Sequence, residues 1–402
     1  MSGRTADIAI IGGGLSGGLT ALALARLRPD VSFRLIEAGQ RLGGNHRWSW
    51  FASDLPPAGE MLMAGFRKSV WDEGYLVRFP AYRRHLHTPY RSLASADFAA
   101  RLERELPEGS IVTNREVTQL DGGGVTLSDG TRVTARAVID CRGFSATDKL
   151  QGGWQVFMGR HLRTPEPHGV ARPIIMDAHV EQLGGYRFVY TLPLGAQDLF
   201  IEDTYYQDTP ELDRSALSAR IDAYQAQMGW TGEPQGFETG VLPVITGGDF
   251  RSWQRGLAIS GVTLAGARGG FVHPLTSYTL PIAVATALAI AEDADLPGQQ
   301  LSAKIEARAR RHWADTGYYR FLGKMLFGAA QPEERYRVFQ RFYRLREPLI
   351  ERFYSGKSTM ADKARVLVGK PPVPIGRAIG ALTSSSPPLL APDVAKNSKV
   401  PR

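Results

Sequence analysis

The stretch Ile8-Ala9-Ile10-Ile11-Gly12-Gly13-Gly14-Leu15-Ser16-Gly17 constrains this chain more than any other. An apolar run rich in β-branched residues reads as a buried parallel strand. A glycine-rich turn follows, then a helical run from Leu19 to Leu27. The G-x-G-x-x-G spacing therefore has the strand–turn–helix context that gives it meaning. Gly12 is expected to make the tight turn and Gly14 to let the backbone approach a pyrophosphate. Gly17, with Ala21 one turn on, lets helix and strand pack closely. The helix start offers unpaired N–H groups and a positive dipole end to phosphate. A second strand, Val31 to Ile36, ends in Glu37, where a carboxylate can grip ribose hydroxyls. The competing reading is a glycine turn beside a surface glutamate, and it leaves this order of elements unexplained.

The chain's 402 residues are too many for one simple core and enough for two or three lobes. Its 43% hydrophobic and 22% charged content is ordinary for a soluble globular protein. The N-terminus runs almost directly into the first strand, so no signal peptide is expected. The best candidate for a membrane span, Leu280 to Ala291, is too short and carries Pro281 near its start. The single cysteine, Cys141, excludes an internal disulfide framework, fits a reducing cytoplasm, and reads as a small buried hydrophobe. A formal charge of +8 suits an anionic partner such as nucleic acid, acidic lipid or a phosphorylated ligand. No nucleic-acid-binding fold accompanies the charge, so no nucleic-acid partner is expected. The eight histidines are scattered apart from His85 and His87, so no metal site is expected.

After Glu37 comes Arg41-Leu42-Gly43-Gly44-Asn45-His46, with Trp48-Ser49-Trp50 behind it. A basic residue and paired glycines after the acid resemble the flavoprotein continuation of the dinucleotide fold. Such glycines let the chain pass close under a cofactor. A glycine loop with surface arginines is the alternative. Ser95 to Leu106 reads as a helix. Val112 to Leu120, Gly124 to Leu127 and Thr131 to Arg136 read as a β-meander with a hairpin signal at Asp129-Gly130. Ala137 to Asp140 returns as a buried strand, and Leu257 to Gly261 reads as the last strand of the same sheet. Residues 266–278 form a loop into a helix that begins near Pro281. Arg142-Gly143 stands where flavin hydroxylases usually carry Asp-Gly, which counts against a hydroxylase.

The fold expected is α/β: a Rossmann-like FAD-binding domain with a β-meander, a second β-rich substrate domain and a C-terminal helical region. The FAD-binding domain is discontinuous, taking residues 1–60, 96–150 and 246–300. Residues 61–95 and 151–245 form the substrate domain, 301–382 a helical membrane-facing region, and 383–402 a disordered tail. Leu301 to Arg352 interleaves basic residues, including Arg320, Arg335 and Arg341, with aromatics such as Trp313, Tyr318 and Phe342. That pattern serves equally a surface resting on acidic lipid and helices packed by an aromatic face with a solvated basic face.

Phe200-Ile201-Glu202-Asp203-Thr204 places two adjacent carboxylates on one strand, facing opposite sides. A carboxyl turned into an aromatic-lined cavity can keep its proton near neutrality and serve as a general acid. Nearby rings, Trp48, Trp50, Tyr205 and Tyr206, would suit a cationic intermediate. A strand-end acidic pair in water is the plain alternative.

The segment 200–204 is similar to the Phe-Leu-Glu-Glu-Thr motif of the flavin-dependent bacterial lycopene β-cyclases. It departs from that motif at Ile201 and Asp203. Gly43-Gly44-Asn45-His46, His273-Pro274 with Thr276 and Tyr278, Arg352 to Lys357 and Gly369 to Pro374 resemble the same family. The resemblance implies an isomerising cyclase, an intramolecular lyase that turns the ψ end groups of lycopene into β-rings, by way of γ-carotene. It implies FAD in its reduced form, NADPH or NADH as electron donor, and a cytoplasmic protein held peripherally on the inner face of the cell membrane. Glu202 is the expected acid or base, with Asp203 the second candidate. The cofactor set implied is Gly12, Gly13, Gly14, Leu15, Ser16, Gly17, Glu37, Arg41, Gly43, Gly44, His46, Gly270 and His273. A flavin monooxygenase, a polyprenyl reductase or a non-catalytic lipid carrier could use the same fold.

Overall fold

A computed structural model describes residues 5–369 and 373–391. Its first sheet is five-stranded and parallel, in the order Val262–Leu264, Ala137–Asp140, Ile8–Ile11, Phe33–Ile36, Ile111–Val112. The central strand is apolar on both faces because both are covered. Ile8 and Ile10 join the core beneath the helices Leu15–Leu27 and Leu280–Glu292. Ala9 and Ile11 pack instead against Val117, Val125 and Val133 of the meander, whose strands are Val117–Asp121, Gly124–Leu127 and Arg132–Thr134.

Two expected strands are placed differently. Val112 to Leu120 is not continuous: Ile111–Val112 edges the parallel sheet, and the chain turns at Asn114 (φ 55°) before the meander begins. Leu257 ends the helix Phe250–Leu257, which Asp249 caps through its side chain, and the last parallel strand is Val262–Leu264. Gly261, at φ 78°, separates the two. Of the expected run, Leu257 packs on the core as the end of an amphipathic helix anchored by Phe250 and Trp253, whereas Ala258, Ile259 and Ser260 are exposed.

The second sheet has eight strands and is built on Thr147–Arg163. That strand runs antiparallel between Glu233–Gly248 and Asp198–Gln207. Tyr186–Pro193, Ile174–Asp177, Tyr75–Phe79 and Tyr82–Leu86 continue the sheet. Pro388–Leu389 also pairs with Thr147–Arg163. The stretch expected as a disordered tail is thus ordered at that point, and residues 392–402 lie outside the described ones. A small three-stranded sheet, Trp48–Phe51, Tyr90–Leu93 and Ser69–Trp71, lies apart from both.

Strand parity sorts the second sheet's side chains. Tyr186, Phe188, Phe200 and Tyr206 face a core completed by Tyr319, Leu326, Tyr343 and Phe353 of the C-terminal helices. Val189, Ile201 and Tyr205 face Leu217, Ile221 and Tyr224 of the helix Arg214–Gln227. Within residues 301–352 many of the aromatic side chains point inward, and two of the cations are buried. Arg320 lies over the Trp313 ring, and Arg335 holds the Tyr206 carbonyl oxygen and Asp208. The exposed large apolar residues of this half lie further on: Met360, Leu367, Val368, Ile379, Leu382 and Leu390. Among the described residues no helix is long and apolar enough to cross a membrane.

Gly17 shows how tightly the first sheet meets its helix: a Cβ there would lie 2.0 Å from the Gly12 carbonyl oxygen. Gly17→Ala is expected to destabilise the protein by about 1–3 kcal/mol, as overpacking does. Thermal unfolding reads this, and an unchanged midpoint would mean the helix can shift freely.

Candidate active site

One cavity of about 830 Å³ runs from the glycine turn to the strand Asp198–Gln207. At its first end Gly12 adopts φ 93°, and a Cβ there would crowd the Cys141 carbonyl oxygen at 3.0 Å. A Cβ on Gly14 would meet nothing within 4 Å, so the turn is open on the cavity side. The helix Leu15–Leu27 has no side-chain cap, and Leu15 and Ser16 line the wall beside its free N–H groups. The Gly13 and Gly39 N–H groups donate to the two oxygens of Glu37, each at 2.7 Å, which fixes the carboxylate on the wall. Gly43 and Gly44 both take positive φ, and the Gly43 N–H donates to the Gly13 carbonyl oxygen at 2.9 Å. Open N–H donors, a bare Gly14 and a fixed carboxylate are the parts that a dinucleotide's pyrophosphate and ribose require.

The other expected contacts divide between the cavity wall and positions behind it. His46 lines the cavity, with its ring edge-on to Trp48 and its pKa lowered by burial. Arg41 is exposed and off the wall. Gly270 also stands behind the wall: its φ of 86° turns the chain where a Cβ would strike Phe250. Gly266, Ala267, Phe271 and Val272 supply the cavity surface there. His273 does not border the cavity. It packs on the Tyr319 ring at 4.6 Å, its Nδ1 accepts from the Thr276 N–H, and burial pushes its pKa down to about 3.

At the far end Glu202 enters the cavity among Phe157, Tyr190 and Phe200. Burial raises its pKa to about 8, so it holds its proton at neutral pH. The Thr204 hydroxyl donates to Oε1 at 2.9 Å and opposes that rise. Asp203, one residue on, is turned to the opposite face. Its oxygens meet Arg187 Nε at 2.8 Å and the Tyr205 hydroxyl at 2.9 Å, wholly out of solvent.

The register adds a carboxylate that the sequence did not single out. Gly159 pairs with Glu202 on one side and with Glu238 on the other, so both acids share one face. Glu238 accepts from the Arg47 backbone N–H at 2.7 Å and lies 2.8 Å from His161 Nε2. The Arg47 guanidinium covers the Phe200 ring at 4.3 Å and borders the cavity. Only cross-strand pairing reveals this cluster, because its members are distant in sequence. At the first end Asp140 is likewise new. It sits at the end of its strand with Arg142 at 2.7 Å and Arg268 at 3.3 Å. Burial pushes its pKa up, but the two guanidiniums outweigh that and hold it below the usual range.

The Arg187–Asp203 pair gives a stability test. Arg187→Met strands a buried carboxylate and is expected to cost about 3–5 kcal/mol. Chemical denaturation measures the loss, and a loss under 1 kcal/mol would show that water reaches Asp203.

The family described as "Lycopene cyclase protein" matches residues 7–379. A lycopene beta-cyclase of Pseudescherichia vulneris is 43% identical, covering 95% of this chain and 98% of that protein. One of Pantoea ananas is 40% identical, covering 94% and 98%. Among solved structures, a geranylgeranyl bacteriochlorophyll reductase-like protein of Thermoplasma acidophilum has TM-score 0.56 at 12% identity, covering 94% of this chain and 99% of its own. A flavin-dependent halogenase of Xanthomonas campestris has TM-score 0.55 at 13% identity, covering 80% and 78%. These two share the fold. With its glycine turn and buried acid joined by one cavity, and matched along nearly its whole length, the chain belongs to the lycopene cyclase family.

Proposed function

We propose that this protein is a lycopene β-cyclase that closes the ψ ends of lycopene into β-rings by acid–base chemistry, with γ-carotene as the one-ring intermediate. The observation that carries the reading is Glu202: a protonated carboxyl in an aromatic cavity that also reaches the glycine turn. The carboxyl protonates C2 of the end group and leaves a tertiary cation at C1. The C5=C6 double bond attacks C1, and the charge moves to C5. Loss of the C6 proton completes the ring. C2 and C6 both flank C1, so the Glu202 carboxylate left by the first step can take the second proton. The mass is unchanged and no electrons are gained or lost.

Tyr190, Phe200 and Phe157 offer ring faces to the cation and exclude water. The glycine turn with Leu15, Ser16 and Glu37, and the Gly43-Gly44 pair, would hold FAD. Bound and reduced by NADPH or NADH, FAD would supply negative charge that stabilises the cationic transition state. Asp203 is a positioning residue, since its pairing with Arg187 and Tyr205 fixes the strand that presents Glu202.

The substrate lives in lipid, so we assign peripheral docking on the inner face of the cell membrane to the exposed Met360, Leu367, Val368, Ile379 and Leu382. Arg365 and Arg377 are exposed on the same helices, Met360–Leu367 and Ile375–Thr383.

Four outcomes are expected. Glu202→Gln should abolish conversion of lycopene in liposomes with FAD and NADPH, with flavin binding intact; a bicyclic product of unchanged mass from this variant would sink the assignment. In the wild type the rate should fall as pH rises through about 8, where Glu202 ionises. Thr204→Val removes a bond to the carboxylate and should move that limb to higher pH; a downward move contradicts the acid role. Met360→Asp with Ile379→Asp should weaken flotation with acidic vesicles about tenfold or more, and unchanged flotation would place the docking face elsewhere.

A further inference from the structure

A second cavity, of about 320 Å³, lies between the substrate sheet and the C-terminal helices. Its walls are almost wholly apolar or aromatic, as at Phe188, Leu322, Leu326, Val338, Phe339 and Phe342. The one charged residue on the wall, Arg341, gives its guanidinium to the Val368 carbonyl oxygen. Tyr190, Thr276 and Tyr278 border this cavity and the Glu202 cavity alike. At the other end Leu367, Ile379 and Leu382 are both wall and surface, with 52%, 59% and 44% of their area exposed.

We infer that this second cavity is the binding site for the unreacting remainder of the substrate, a straight, uncharged polyene chain, and that Leu367, Ile379 and Leu382 form its mouth toward lipid. The inference rests on the cyclase reading for the identity of the end group at Glu202. Three observations select this occupant. A cavity near 830 Å³ is of the size that one drug-sized ligand fills. Once it holds a dinucleotide, space near Glu202 remains for an end group and not for a long chain. Polar groups on the second cavity's wall are already engaged, Arg341 by the Val368 carbonyl oxygen and the Tyr278 and Tyr354 hydroxyls by those of Tyr90 and Tyr343, so a nucleotide or an acyl anion would lose its hydration there with little compensation. An apolar cavity of this kind stays dry and takes an apolar guest. Finally, it lies between the wall it shares with the reaction cavity, at Tyr190, Thr276 and Tyr278, and the largest group of exposed apolar residues. The inferred path for the hydrocarbon runs from bilayer to acid past those three side chains.

The test narrows the channel away from the acid. Ala378 and Val338 both border it and touch none of the proposed catalytic groups. Ala378→Trp and Val338→Trp should each lower kcat/KM for lycopene about tenfold or more. A truncated acyclic polyene with one ψ end should be cyclised within about twofold of the wild-type rate, with the flavin spectrum unchanged. Equal losses on both substrates, or no loss on either, overturn the inference. A second readout needs no turnover. Cys141 is buried, so Met325→Cys gives one reactive thiol on the channel wall. Lycopene in liposomes should slow its alkylation about tenfold, as occupancy of most sites requires; unchanged alkylation overturns the inference. Protection without any ring closure would leave the channel standing and remove the cyclase reading instead.

Discussion

A carboxyl kept dry and protonated at neutral pH is the constraint on which the rest of this structure depends. Glu202 has a threonine hydroxyl as its hydrogen-bond partner and no ion pair among the described residues. Such a group survives only where burial outweighs any nearby positive charge. The eight-stranded sheet supplies the burial on one side, and the Rossmann-like unit with residues 266–283 closes the other. The strand Thr147–Arg163 lies at the centre of this arrangement. It aligns Glu202 and Glu238 on its two flanks, with Gly159 between them.

The neighbouring charges are disposed to preserve that state. The charge of Arg47 bears on Glu202, but Arg47 is drawn toward Glu238, which takes its backbone N–H and pairs with its side chain. Its guanidinium spreads over Phe200 rather than bonding to Glu202. Glu238 also repels a negative charge on Glu202 and so favours its proton. A positive group therefore borders the cavity without ionising the acid, because a second acid has already engaged it.

The parts of this architecture that were legible in the sequence are those fixed by local sterics. The glycine turn, its helix and the acid after the second strand stand where spacing put them, because Gly12 takes the positive φ that turns the chain and Gly17 must clear the Gly12 carbonyl oxygen five residues back. The choice between Glu202 and Asp203 was not legible. Parity says that they face opposite ways, but only the covering helices say which face is the cavity. His273 was misplaced for a similar reason: its loop is near the cavity, yet the ring is taken up by Tyr319, which is distant in sequence. The aromatic and basic pattern of 301–352 left two readings open. The structure resolves most of its aromatics as core and carries the exposed apolar group onto later helices. Glu238 had no local signal at all, since its role comes from pairing across Gly159.

Strand parity also bears on how such a protein can change over generations. Along Asp198–Gln207 each side chain belongs to one of two environments, with nothing between them. Substitutions at one position leave this assignment intact. Losing or gaining a single residue ahead of position 202 would reverse it for the strand, sending the ion-paired aspartate's position to the cavity and the acid's position under the helix Arg214–Gln227. The length of the turn 194–197 before this strand therefore constrains the site as strictly as the acid itself, although none of the turn's residues lines the cavity around Glu202.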